Sequence, residues 1–196
     1  GEAFAKVAKL LYFGYPGGPV IDRLAERGDP WRVKFPNTRI SNGKLDFSFS
    51  GIKTAVLRYI QANFEQEMSF LRAAHKEETF LDQLPQSVYD LIASFQWNVV
   101  ETLFANTAKA AESRLPQSIM ISGGVACNRL LRRRFQSGFS GVGLPVYFPS
   151  SILSTDNAAM IAAAGYPKLA AGICADLTLN ADVSLKLHQQ FPLREG

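Results

Sequence analysis

Residues 118–128 read Ser-Ile-Met-Ile-Ser-Gly-Gly-Val-Ala-Cys-Asn and carry the clearest structural pattern in the chain. The short apolar run at 118–121 predicts a buried strand, and the glycine pair Gly123-Gly124 predicts a tight turn directly after it. A helix is predicted to follow, from Asn128 to about Phe135. Strand, glycine turn and helix in this order are typical of an α/β unit.

A second strand is predicted over Pro145–Phe148. It leads to the segment Ser154-Thr155-Asp156-Asn157, which is expected at the start of an alanine-rich helix. Alternating strands and helices predict an α/β sheet, with ligands bound at the ends of the strands.

The part of the chain before residue 118 is predicted to be mainly helical. Helices are predicted at 1–11, from Pro19 to the stop at Gly28-Asp29-Pro30, at 52–64 behind a Ser50 cap, and at 87–114 before Pro116. Short strands are predicted at Val33–Phe35 and Leu45–Phe49, and an exposed helix or loop at 72–78. The long helix is expected to present an apolar stripe to the core, made of Val88, Leu91, Ile92, Phe95, Val99, Leu103 and Phe104.

Composition and charge limit the classes of protein to which the chain could belong. With 47% hydrophobic residues among 196, the chain has enough apolar surface for a sizeable core, and its net charge of +4 permits an anionic partner without requiring one. Cys127 and Cys174 form no pair with metal-ligand spacing, which favours a reducing, cytoplasmic setting. The longest uncharged apolar stretch, 158–165, is too short to cross a bilayer.

The Gly123-Gly124 turn is the first functional signal. A strand that leads through a glycine pair into a helix exposes backbone N–H groups, and phosphate binds well at such places. The helix that follows carries four arginines: Arg129, Arg132, Arg133 and Arg134. The alternative interpretation is a tight connection followed by a solvated basic face, and no Gly-Lys-Ser/Thr follows to make a P-loop.

Asp156 is the second signal, at the expected N-terminus of a helix. Its spacing alone favours an ordinary N-cap aspartate, and a metal ligand at the edge of a sheet is the functional alternative. His75 and His188 form no His-x-x-x-His pair, so this chain alone does not supply a complete transition-metal site. No local Ser-His-Asp or Cys-His pattern supports nucleophilic catalysis.

Several segments together resemble one family in the right order and over most of the chain. They are Gly1–Phe4, the turn Gly14-Tyr15-Pro16-Gly17-Gly18-Pro19, the segment Asp46–Thr54 with its Phe-Ser-Phe-Ser-Gly core, Ser122–Asn128, and Ser154–Ala162 with its Ser-Thr-Asp-Asn start. The chain resembles the catalytic subunit of the tRNA threonylcarbamoyltransferases, formerly described as O-sialoglycoprotein endopeptidases or glycoproteases.

The resemblance implies an actin-like ATPase fold of the ribonuclease H-like class, of which residues 1–196 would form the C-terminal part. Within it we expect a smaller helical insertion at 19–80, an α/β core at 81–170 and a tail at 171–196. The implied reaction transfers threonylcarbamoyl from threonylcarbamoyl-AMP to the adenosine next to the anticodon of tRNA.

The resemblance also implies site residues, position by position. It implies nucleotide or substrate binding by Gly18, Asp22, Gly123, Gly124 and Asn128, and metal binding by Asp156. The expected cofactors are ATP or threonylcarbamoyl-AMP and one divalent metal ion, iron or zinc, whose other ligands lie outside this chain. Lys53 and the arginines at 132–134 are candidates for contacts with RNA phosphates.

Two departures from the family pattern limit the expected activity. The family's His-x-x-x-His metal ligands are absent, and Ala5 stands where the family has an aspartate that contacts the nucleotide. We therefore expect the chain to be inactive alone and to self-associate. The implied partners are tRNA and the proteins of a modification complex, including a catalytically degenerate paralogue and an ATPase, with no membrane.

Two alternatives to the transferase remain open at this point. A different actin-like enzyme, such as a sugar or acyl kinase, would need a catalytic aspartate for a hydroxyl substrate. A non-catalytic scaffold paralogue is favoured mildly by Ala5 and disfavoured by the presence of Asn128 and Asp156. A protease has the least support, since no protease constellation can be assembled from these residues.

Overall fold

The computed structural model describes residues 1–36, 49–77 and 79–180. In chain order its α-helices are α1 (Glu2–Leu10), α2 (Gly17–Leu24), α3 (Ser50–Asn63), α4 (Glu65–Ala74), α5 (Gln86–Arg114), α6 (Arg129–Ser140), α7 (Ser151–Ser154) and α8 (Ala158–Ala170). Its strands are β1 (Ile119–Met120) and β2 (Val146–Tyr147). Single 3₁₀ turns lie at Ala25–Arg27, Phe80–Asp82 and Gly124–Cys127.

The chain divides into two compact units, residues 1–156 and 157–196. The first holds helices α1 to α7 and both strands, and the second holds α8. The finer division at residues 80 and 170 stays a prediction. Among the described residues, every helix is too short or too polar to span a bilayer.

Helix α1 forms with the apolar face that its sequence predicts. Phe4, Val7, Ala8 and Leu11 are all buried. Helix α2 packs against α1, and it begins at Gly17 rather than at the predicted Pro19. A Cβ atom at Gly17 would lie 2.4 Å from the Cβ of Ala8, so glycine is what lets the two helices approach.

Helix α5 is the central element of the first unit. It begins one residue before the predicted Ser87 and ends at the predicted Arg114, with Leu115 in the left-handed region at φ 47°. The predicted stripe is buried as far as Val99, whereas Leu103 and Phe104 are half-buried. Phe95 meets Phe4 of α1 edge to face, with ring centroids 5.2 Å apart, which joins α1 to α5.

The predicted strand at Val33–Phe35 is wrong: these residues belong to no strand. Side chains spaced four apart on α5 hold the backbone of this segment instead. Asp90 Oδ1 accepts from the amide of Asp29 at 2.8 Å, and Ser94 Oγ accepts from the amide of Val33 at 3.1 Å. Asn98 Nδ2 donates to the carbonyl of Phe35 at 3.4 Å. The partner of this segment is therefore the surface of helix α5 rather than a strand.

The two strands pair in parallel, with Ile119 beside Val146 and Met120 beside Tyr147. The sequence predicted both strands, with longer bounds. Ile119 and Val146 face a hydrophobic cluster built on Val100, Leu131, Phe135 and Phe139. Met120 and Tyr147 point the other way and remain 82% and 59% exposed.

Helix α3 begins at Ser50 itself, with Phe49 at the N-cap, so the predicted Ser50 cap is wrong. The prediction of a helix or loop at 72–78 is confirmed as far as residue 77, where α4 ends and a turn follows. Helix α7 was not predicted. Of the predicted strand Leu45–Phe49, only Phe49 lies within the described residues, and it belongs to no strand.

The second unit is described from Asn157 to Asn180. Its helix α8 is capped by Asn157, whose Oδ1 accepts from the amide of Met160 at 3.0 Å. The cap is therefore Asn157 and not Asp156. Since both residue types are good N-caps, spacing alone could not choose between two neighbours.

Candidate functional site

A cleft of about 840 Å³ opens on the first unit, within the size range of ligand pockets. One side is formed by the start of α1 and the turn that leads into α2. The other is formed by the loop after β1 and the start of α6, together with Thr155. Of the predicted site residues, the cleft is lined by Gly18, Asp22, Gly124 and Asn128, and also by Ala5 at the divergent position.

Two of these glycines face open space. Among the described residues, no heavy atom lies within 4 Å of a Cβ built on Gly18 or Gly124. Gly123, just before the 3₁₀ turn, has φ of 88°, a conformation that favours glycine. A ligand can thus approach the backbone at both sides of the cleft.

Asn128 is buried at 7% exposure, and its side chain is engaged within the protein. Its Oδ1 accepts from the amide of Leu131 at 2.9 Å and so caps α6. Its Nδ2 donates to Oε1 of the buried Gln96 on α5 at 2.9 Å. Sequence reasoning missed Gln96, because a glutamine inside a predicted apolar helix carries no local signal of its distant partner.

Asp22 is tied to the first residue of α6. Its Oδ1 accepts from the backbone amide of Arg129 at 3.2 Å, and its Oδ2 accepts from Arg129 Nε at 2.9 Å. Arg129 also donates to the Asp22 carbonyl at 3.1 Å and to Glu26 Oε2 at 2.9 Å. The hydrogen bond to Asp22 raises the pKa of the Arg129 guanidinium above its ordinary value.

This arrangement refines the predicted anion site at the N-terminus of α6. The carboxylate of Asp22 already accepts one of the first amides of the helix, and the side chain of Asn128 accepts another. A helix N-terminus stabilises nearby negative groups, and here Asp22 supplies one. These two amides at the start of α6 already have acceptors, and phosphate binding at the Gly123-Gly124 turn stays a prediction.

The other arginines of α6 have distinct surroundings. Arg132 donates to two backbone carbonyls and stacks on Phe148. Arg134 pairs with Glu101 and lies over the ring of Phe104, 3.6 Å from its centroid. The side chain of Arg133 is 65% exposed and has one long contact, 3.8 Å, to Glu26. Arg133 is thus the most available of the three for a phosphate, and contact with RNA stays a prediction.

Asp156 follows Thr155, which lines the cleft, and its side chain is exposed. Among the described residues, no three His, Cys, Asp or Glu side chains form a group that could hold a metal ion. Within the described part of the chain Asp156 is thus not part of such a group, and its role as a metal ligand stays a prediction.

Lys53 and His75 lie away from this cleft. Lys53 lines a second cavity of about 400 Å³ with Phe4 and Phe49. His75 Nδ1 lies 2.8 Å from the carbonyl of Arg72, and the imidazole packs against the ring of Tyr12, with centroids 5.1 Å apart. The contacts of His75 are thus with Arg72 and Tyr12, and His75 does not line the cleft.

The chain is similar to one family of known proteins over most of its length. Residues 1–163 match the family model TsaD, described as tRNA N6-adenosine threonylcarbamoyltransferase. Proteins of that name from Koribacter versatilis and Syntrophotalea carbinolica are each 44% identical, over 95% and 96% of this chain. One from Clostridium perfringens is 42% identical over 97% of the chain.

The chain spans about half the length of these curated relatives: 54%, 51% and 51% respectively. The family match covers the cleft and both loops that follow the strands. This chain belongs to the tRNA N6-adenosine threonylcarbamoyltransferase family.

Proposed function

We propose that this chain supplies the nucleotide-binding part of a tRNA N6-adenosine threonylcarbamoyltransferase with an actin-like ATPase fold. The observation that carries the proposal is the convergence of Gly18, Asp22, Gly124 and Asn128 on one cleft. These residues come from segments more than 100 positions apart, and the family resemblance assigned all of them to the nucleotide.

In this proposal the cleft holds the adenylate part of threonylcarbamoyl-AMP. The phosphate lies against the backbone at Gly123-Gly124, where no side chain competes for space. The carboxylate of Asp22 keeps lone pairs beyond those used by Arg129 and accepts from a sugar hydroxyl. The cleft thus fixes the position of the carbamoyl carbon, and catalysis comes mainly from orientation.

The chemical step needs no protein nucleophile. The N6 amine of the tRNA adenosine attacks the carbamoyl carbon and a C–N bond forms. The bond from that carbon to the phosphate oxygen breaks, AMP leaves with the electron pair, and the amine loses a proton to solvent. The described residues do not form a three-ligand metal site by themselves.

We also propose Asp156 as one ligand of the divalent metal that the resemblance implies. Its carboxylate is exposed and follows Thr155 at the cleft, which is suitable for a shared site. Iron or zinc remains the expected ion, and tRNA and the proteins of a modification complex remain the expected partners. A tRNA substrate is consistent with a cytoplasmic setting.

The test is modification of tRNA by the natural protein that carries this chain. It would be incubated with threonylcarbamoyl-AMP, tRNA and the partner proteins of the complex, and modified adenosine would be measured by mass spectrometry. We expect modification to be lost in Asp156→Ala and retained in Asp82→Ala, a matched change at another exposed aspartate. No modification by the unaltered protein, with nucleotide still bound, would favour a kinase or a scaffold instead.

A further inference from the structure

The side chain of Arg132 bridges the two loops that follow β1 and β2. Its Nε donates to the carbonyl of Ala126 at 2.6 Å, and one terminal nitrogen donates to the carbonyl of Pro149 at 2.8 Å. The guanidinium carbon lies 4.9 Å from the ring centroid of Phe148. One planar group therefore contacts the loop after β1, the loop after β2 and an aromatic ring.

These contacts depend on the shape of the guanidinium. Both acceptors are neutral backbone carbonyls, so neither hydrogen bond pairs the charge of Arg132 with a carboxylate. The rigid fork of an arginine can reach two acceptors at once, whereas a lysine ammonium is a single point charge on a flexible stem. A bridge of this kind fixes the distance between the two carbonyl oxygens that accept its hydrogen bonds.

A second contact joins the same two regions. The Sγ of Cys127 lies 3.6 Å from the carbonyl of Ser151, at the start of α7. Cys127 immediately follows Ala126, and Ser151 is two residues from Pro149. Two independent side chains thus link the 3₁₀ turn at Gly124–Cys127 to the segment that leads to Thr155.

Both bridged segments line the cleft. Gly124 and Asn128 come from the first, and Thr155 comes from the end of the second. We propose that Arg132 is a positioning residue, which holds these two walls of the cleft at the separation that the adenylate requires. This inference rests on the proposed function, and the arginine itself is not among the residues lining the cleft.

The experiment compares Arg132→Ala and Arg132→Lys with Arg58→Ala in the natural protein that carries this chain. Arg58 is the matched control, because it is an exposed arginine inside helix α3 and does not line the cleft. Hydrogen exchange of the backbone amides at 123–128 and 148–155 measures how readily the loops open, and titration with AMP measures the affinity of the cleft. Thermal unfolding shows whether each variant folds. If Arg132→Ala does not fold, Arg132→Lys provides the test instead.

We expect faster exchange in both loops and an AMP affinity lower by about tenfold or more in Arg132→Ala, since small displacements of positioning groups have large effects. Millimolar guanidinium should restore part of that affinity, and ammonium should not. Arg132→Lys should restore little, and Arg58→Ala should behave as the unaltered protein.

Unchanged exchange in Arg132→Ala would overturn the bridge itself. Faster exchange with unchanged AMP affinity would overturn the positioning role. If the unaltered protein binds no AMP while the loops still loosen in Arg132→Ala, the proposed function fails and the positioning role fails with it, whereas the bridge between the loops stands.

Discussion

Asn128 shows how a residue predicted to contact a ligand is also part of the fold. Its amide oxygen caps α6, and its amide nitrogen binds the buried Gln96. The amide nitrogen of Asn128 carries a second N–H, which the bond to Gln96 does not use, and Asn128 lines the cleft. The side chain is held in one orientation by two internal partners, so a ligand would meet a donor already in place.

Replacing Asn128 should therefore separate two effects. Asn128→Ala loses the cap and leaves Gln96 Oε1 without its donor, for a destabilisation of about 1–3 kcal/mol. Asn128→Ser keeps a capping oxygen and loses only the contact to Gln96, so it should cost less. Urea unfolding measures both. Equal stability of Asn128→Ala and the unaltered chain would contradict the assignment of both hydrogen bonds.

The segment from Asp29 to Phe35 is the element that most depends on long-range contacts. It has no strand partner, and three polar side chains of α5 bind its backbone. Ser94 is central, since its hydroxyl accepts from the amide of Val33 and donates to the carbonyl of Asp29 at 3.2 Å. This fixed path covers one side of α5 beside the helices that form the cleft.

Removal of that hydroxyl should destabilise the fold. Ser94→Ala leaves the amide of Val33 buried without its acceptor, at a cost of about 1–3 kcal/mol. Ser113→Ala is the control, since Ser113 is an exposed serine on the same helix that donates only to the carbonyl of Ala110. Denaturant midpoints compare the two variants. A loss in Ser94→Ala no larger than in Ser113→Ala would contradict this account of the segment.

The elements that the sequence predicted well are those with a strong local period. The stripe on α5 and the apolar face of α1 follow from spacing alone. The segment at Val33–Phe35 was misread because a short run with apolar residues does not reveal whether its partner is a strand or a helix. The bridge of Arg132 was equally invisible, since an arginine on an amphipathic helix has the same local signature whether it is solvated or bound to distant carbonyls.

At the scale of the whole first unit, one face of the small sheet stands out. Met120 and Tyr147 lie side by side on that face, and Ile152 and Leu153 of α7 are also exposed, at 79% and 57%. Met120 and Tyr147 form adjacent exposed apolar surface, and exposed apolar patches commonly mark interaction sites. The chain spans about half of its curated relatives, and this face is a surface that further protein could cover.

The isolated 196-residue chain should therefore self-associate as its concentration rises from micromolar to millimolar. Met120→Lys places a charge on the exposed sheet face and should shift association to higher concentration. Val142→Lys, at an exposed apolar residue in the turn after α6, should not. Sedimentation velocity measures both variants, and a monomer throughout the range would refute the expectation.

If the cleft of the first unit binds an adenylate, as proposed, the substitution Gly18→Ala should weaken that binding. The methyl group enters open space at the cleft wall, so the fold tolerates it, and alanine favours a helix over glycine by up to about 1 kcal/mol. Gly141→Ala is the control, because a Cβ there also meets nothing within 4 Å among the described residues and Gly141 does not line the cleft. The affinity for AMP would be measured by calorimetric titration of the natural protein. We expect it to be lower by about tenfold or more in Gly18→Ala, a loss of roughly 1.4 kcal/mol in binding free energy. In Gly141→Ala the affinity should be unchanged. Equal AMP affinity in both variants would contradict the account and place the nucleotide elsewhere.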